Sequence, residues 1–110
     1  MTSFDDWLNE PVSRYLPCFI LGGDDGHQLI PVNAAIWAIW FEGSWPQRQV
    51  AYTQIDGDSS VSTVFIGVDV LFESLSFLNG RPDHMDRYES WDEALAGHQA
   101  MVDNIMARTT

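Results

Sequence analysis

Apolar and polar residues alternate most strictly over residues 60–68, SVSTVFIGV. A period of two is the mark of a strand with one buried face, and the β-branched Val61, Thr63, Val64 and Ile66 suit a pleated surface. Residues 47–55, QRQVAYTQI, alternate well enough to form a neighbouring strand. Asp56-Gly57-Asp58 supplies the turn between them, so the simplest arrangement is an antiparallel hairpin. Residues 71–78, LFESLSFL, continue the pattern, with Phe72, Ser74, Leu75 and Phe77 assigned to one face and a slip near Leu75. Asn79-Gly80 is a strong turn signal, and residues 86–88 offer a short fourth strand.

The period changes to helical in two places. Asn33 is a candidate N-cap for a helix over 34–43, AAIWAIWFEG, which Gly43 ends. Ile36, Trp37, Ile39, Trp40 and Phe41 are too dense for a one-faced helix, so it is either buried on two sides or in contact with a partner. Ser90 caps the last helix, with Glu93 three residues on completing a capping box. Trp91, Leu95, His98, Met101, Val102 and Ile105 define its expected buried stripe. Asp92 and Glu93 at its start and Arg108 near its end match the helix dipole.

At the other end of the chain, residues 14–21, RYLPCFIL, read as a strand that Pro17 confines to an edge or a bulge. Gly22 to Gly26 form a turn cluster, and residues 27–31 a return strand. Residues 1–13 hold at most one helical turn, around Phe4, Trp7 and Leu8 and limited by Pro11. The predicted fold is α+β: an antiparallel β-meander of three to four strands, plus an N-terminal hairpin, packed by a central and a C-terminal helix. At 110 residues it is expected to form a single domain over 1–110.

Charge changes the picture. The chain has 16 acidic residues, five basic ones and a formal charge of −11; all five cations are arginine, and lysine is absent. The imbalance comes mainly from missing cations. Such a field repels phosphate backbones, so direct nucleic-acid binding is not expected. It attracts a basic protein surface. The plainer consequence is solubility alone. Cys18, the sole cysteine, excludes an intrachain disulfide; in an apolar run it is expected to be a small buried hydrophobe, which suits a reducing cytoplasm. The first residues lack the basic and apolar regions of a signal peptide, and no apolar run is long enough to span a bilayer. A soluble intracellular protein with no membrane association is expected.

Candidate chemistry is sparse. No G-x-x-x-x-G-K-[ST], G-x-S-x-G, H-E-x-x-H or C-x-x-C occurs. Without lysine there is no Schiff-base or phosphate-binding amine. His98 has Met101 and Val102 where a metal site needs ligands, so it reads as a core-edge histidine. Asp24, Asp25 and His27 match no standard cation spacing, and Asp56-Gly57-Asp58 lacks the frame of a calcium loop. Asp69 and Glu73 could pair as acid and base at strand ends, but solvent exposure or a bond to Arg87 is the simpler expectation. No catalytic residue, metal or cofactor is assigned; a small enzyme or metal protein is the weakest of three classes.

Residues 61–67 (VSTVFIG), Asp69, Phe72-Glu73 and Arg87-Tyr88 lead into Trp91, Glu93-Ala94, Gly97-His98 and Met101-Val102. With Trp37 to Glu42, Arg48, Val50, Thr53 and Asp86, this set resembles the pattern of a family of small uncharacterised bacteriophage and prophage proteins, over about two-thirds of the chain. The motifs are moderately specific together and weak singly. Relatives place a His after the Asp and then a Gly/Pro-rich loop. Here Asp69 is followed by Val70-Leu71 and directly by Phe72-Glu73. The resemblance implies phage origin and no reaction.

The leading expectation is therefore an acidic phage protein that binds a basic host protein or nucleoprotein defence complex in the host cytoplasm. Its concrete form is an anti-CRISPR inhibitor whose carboxylates mimic nucleic-acid charge. Asp24, Asp25, Asp56, Asp58, Asp83 and Asp86 are the candidate contacts, with Asp92-Glu93 a further cluster. Trp40 and Trp45 are candidate anchors, beside Trp7 and Tyr52. The alternative is a non-catalytic structural or accessory phage domain acting as a homodimer or larger homo-oligomer.

Overall fold

The computed structural model describes residues 17–109. The expected turn around Phe4, Trp7 and Leu8, and residues 14–16 of the first predicted strand, lie outside them. The order is β1 (Cys18–Gly22), β2 (Gln28–Val32), α1 (Ala34–Gly43), a four-residue α2 (Trp45–Arg48), β3 (Gln49–Gln54), β4 (Ser60–Val68), β5 (Val70–Leu78), β6 (Arg81–Tyr88) and α3 (Trp91–Thr109). The fold is α+β. β3 to β6 form an antiparallel meander, and the β1–β2 hairpin joins it where Cys18 pairs with Val68 at the end of β4.

Alternation along β4 decides which face is dry. Val61, Thr63, Phe65 and Gly67 point inward, and the residues between them are half-exposed. α3 lies across β3, β4, β5 and β6 on that side. Its Ala94 shares a cluster with Leu21, Phe65 and Phe72, while Val102 and Ile105 pack with Val61. α1 lies on the same side, because Trp40 meets Phe65 edge-on at 5.6 Å within that cluster. Both longer helices thus share one face of the sheet.

The strands differ from expectation in three instructive ways. β3 begins at Gln49 because Pro46 starts a helical turn at 45–48 instead. β5 has no slip: Phe72, Ser74 and Ser76 go inward, and Leu75 is on the other face. The buried serines have work there, as Ser74 bonds Thr63 and the Ser76 hydroxyl accepts from the His84 N–H at 3.0 Å. β6 spans eight residues, not three, and Pro82 is accommodated by a register shift near its start. As an edge strand rich in charge it resists pairing with another sheet.

The C-terminal helix is capped as predicted on one side: the Glu93 N–H donates to Ser90 Oγ at 3.1 Å. The return bond goes from the Glu89 N–H to Glu93 Oε2, one residue earlier than in the standard box. The buried stripe is Ala94, His98, Met101, Val102 and Ile105. Leu95, assigned to it by sequence, is 42% exposed. Ala94 takes the inward position instead, in the cluster with Leu21, Phe65 and Phe72.

The tightest approach is at Gly97, where a Cβ would stand 2.1 Å from the Tyr88 ring. In an open helix, alanine would stabilise by about 1 kcal/mol. Here Gly97→Ala is expected to destabilise by about 1–3 kcal/mol through overpacking. In a Tyr88→Leu background the same change should become neutral or favourable. Urea unfolding of the two single variants and the double variant checks this; additive losses would show that Tyr88 is not the obstacle.

Candidate partner-binding surfaces

Asn33 starts α1 as expected, its Oδ1 accepting from the Ile36 N–H at 2.9 Å. None of the ten residues of this apolar helix is fully buried among the described residues; Ile36, Trp37, Trp40 and Phe41 are half-buried. Trp37 Nε1 donates to the Ile66 carbonyl at 2.9 Å and anchors the helix to β4. Trp40 spends its ring on Phe65. Ile39 is left half-exposed, as is Trp45 just beyond the helix. Of the predicted aromatic anchors, Trp45 and Tyr52 are therefore at the surface, Trp40 supports the core, and Trp7 lies outside the described residues.

Arg48 was not singled out by its charge in the sequence, yet it is only 8% exposed. Its guanidinium lies 3.6 Å from the Phe41 ring centroid and 5.1 Å from that of Trp45. Nε has no hydrogen-bond partner, and burial lowers the pKa from its ordinary value. The aromatic faces stabilise the cation in place of a carboxylate. Trp45 is thereby held by a charged plate from below.

The acidic candidates divide between two ends of the sheet. Asp24 and Asp25 lie in the β1–β2 turn, which reaches the start of α3: the His27 ring stacks on Trp91 at 3.6 Å, and Asp25 Oδ1 accepts from the His27 N–H. Asp56 and Asp58 lie in the β3–β4 turn, tied to the β5–β6 turn by the bond from the Gly80 N–H to the Asp58 carbonyl at 2.7 Å. Along β5, the position paired with Ser60 and the one paired with Tyr88 are five residues apart, about 16 Å. Asp83 is engaged within the chain. Arg108 Nη1 donates to its Oδ1 at 3.2 Å and Nη2 to its Oδ2, and these bonds hold its carboxyl below the usual range. Asp86 sits three residues along β6 with no ion-pair partner among the described residues.

His98 is 4% exposed, with Nδ1 2.7 Å from Thr63 Oγ1 and Nε2 2.9 Å from Thr53 Oγ1. Both ring nitrogens meet threonine hydroxyls of the sheet. Burial lowers its pKa. The Thr63 hydroxyl continues to Ser74, so a hydroxyl–imidazole–hydroxyl chain stitches α3 to three strands. Thr63 and Ser74 are fully buried, which shuts the imidazole away from any substrate. Glu73 Oε2 accepts from Arg87 Nε at 3.3 Å, and Asp69 alone joins β4 to β5 at φ 63°. Cys18 is buried, and burial raises its thiol pKa. Among the described residues no cluster of three His, Cys, Asp or Glu could hold a metal ion, and no helix is long and apolar enough to cross a membrane. Comparison with family models, curated proteins and solved structures finds no match to this chain.

Proposed function

We propose that this is a phage-encoded acidic protein that binds a basic host protein in the host cytoplasm. In its concrete form it blocks a CRISPR–Cas or other defence complex by occupying a surface meant for nucleic acid. The observation that carries the reading is α1: an apolar helix with no buried residue, continued by half-exposed Trp45. Apolar surface of this kind gains free energy when covered, and Trp is a frequent interface anchor. The charge of −11 supplies steering toward a basic surface. The acidic turns, at opposite ends of the sheet, suit the two rims of a basic groove better than one flat patch. The family resemblance of the strand and helix motifs supports phage origin.

The protein, tagged and immobilised, is expected to retain a basic nucleic-acid-handling protein from host lysate at about 50 mM salt and to release it at about 500 mM. Joint Asp24→Lys and Asp25→Lys substitutions should weaken capture, as should Asp56→Lys with Asp58→Lys. Capture indifferent to both reversals would overturn charge mimicry. A salt-insensitive dimer by light scattering, with no partner retained, would instead favour the homo-oligomeric accessory domain.

A further inference from the structure

The seam between β6 and α3 is open along part of its length. α3 runs antiparallel to β6 there, since Tyr88 lies against Gly97 and Asp83 bonds Arg108. At the Asp83 end the seam is closed by the Arg108 guanidinium, which grips both carboxylate oxygens. Further along, α3 presents Gly97, Ala100 and Asn104, and none of these brings a cation. A groove of about 330 Å³ results, lined by those three residues, Met101, and His84 and Asp86 of β6. Asp86 Oδ1 accepts only from the Arg87 backbone N–H, at 3.1 Å. Beyond the groove, the Tyr88 hydroxyl is pressed against Gly97 and buried with no hydrogen-bond partner.

We infer that this groove takes an arginine side chain of the binding partner. The guanidinium forks onto the Asp86 carboxylate, repeating in trans what Arg108 does to Asp83 in cis. The Asn104 amide oxygen is a further acceptor. The aliphatic stem runs over Gly97 and Ala100, against the wall of Met101. Arginine is preferred to lysine because its planar fork matches a carboxylate and is weakly hydrated, so it tolerates a half-enclosed site. The inference rests on the proposed basic partner and names one contact through which that partner is recognised.

The test uses the full chain and a blocked arginine, N-acetyl-arginine amide, followed by amide NMR. Saturable shifts are expected at Gly97, Ala100 and Asn104, and none with the neutral isostere N-acetyl-citrulline amide. Asp86→Asn, an exposed and conservative change, should weaken the response roughly tenfold, while Asp69→Asn, at an exposed carboxylate outside the groove, leaves it unchanged. Equal responses to both probes, or shifts confined to the acidic turns, would overturn the assignment. In the capture experiment Asp86→Asn should likewise weaken partner retention about tenfold. Retention at full strength by Asp86→Asn, with no saturable probe binding, refutes the groove and leaves the basic partner standing. Saturable, Asp86-dependent probe binding with no basic protein retained refutes the partner and leaves the groove's specificity standing.

Discussion

Gly67→Ala is expected to cost about 3–5 kcal/mol, a large share of the roughly 5–15 kcal/mol that holds a domain of this size together. Two effects add. Gly67 has φ +90°, where an L side chain is strained by about 1–2 kcal/mol. A Cβ there would also stand 2.3 Å from the Phe19 carbonyl oxygen and 2.8 Å from the Phe65 ring. The carbonyl belongs to β1 and cannot swing aside as a side-chain tip would. This is where the hairpin meets the meander, with Cys18 paired to Val68 one residue away. Gly26→Ala separates the two effects. Gly26 has a similar φ of +76° but no atom within 4 Å of the added carbon, so only strain should register. Urea denaturation of the two variants side by side decides the matter. Equal losses would show that the approach of β1 to β4 contributes nothing.

His98→Leu is expected to cost about 1–3 kcal/mol, because it removes the partner of the Thr53 hydroxyl and one of the two partners of the buried Thr63 hydroxyl, which keeps only Ser74. The imidazole also sets a pH dependence whose sign is fixed. Burial holds its pKa below the ordinary 6.5, so the unfolded chain takes up a proton that the folded chain refuses. Stability is therefore full above about pH 6.5 and declines as pH falls toward the lower, folded pKa. Within that window the loss approaches about 1.4 kcal/mol per pH unit. Asp83 acts separately and lower. Its carboxyl, depressed chiefly by the bond from Arg108, gives stability that is present above its ordinary 3.8 and lost as pH falls below it. Unfolding free energies of the natural chain and of His98→Gln between pH 8 and about pH 5 isolate the imidazole. The natural chain should slope downward and the variant much less. Parallel slopes would mean that the imidazole of His98 does not set the dependence.

Most of the fold was legible because its signals are local. The bounds of α1 and β4 coincide with those read from the Asn33 cap and from strict alternation at 60–68. β5 was harder. LFESLSFL alternates, but its inward serines look polar, and only the hydroxyl chain to His98 explains why the larger Leu75 stays outside. β6 looked short because RPDHMDRY carries the charge of an edge strand, which masks its length. On α3 only one position of the expected stripe changed, Ala94 being buried and Leu95 exposed; both fit a helical period, so periodicity alone could not choose between them. The acidic candidates were legible as residues but not as a surface. Nothing local foretold that Arg108 would claim Asp83 and leave Asp86 free, or that Arg48 would settle on Phe41 and Trp45.

The stacking of His27 on Trp91 gives the domain a timetable. The turn of the first hairpin finds its resting place on a ring more than sixty residues further along the chain. A ribosome adds about 5–20 residues each second. The β1–β2 hairpin must therefore wait for several seconds with Leu21 and Leu29 uncovered, until the start of α3 has been made. The hairpin settles only after the start of α3 has emerged, and the like charge of the chains keeps the waiting hairpins apart.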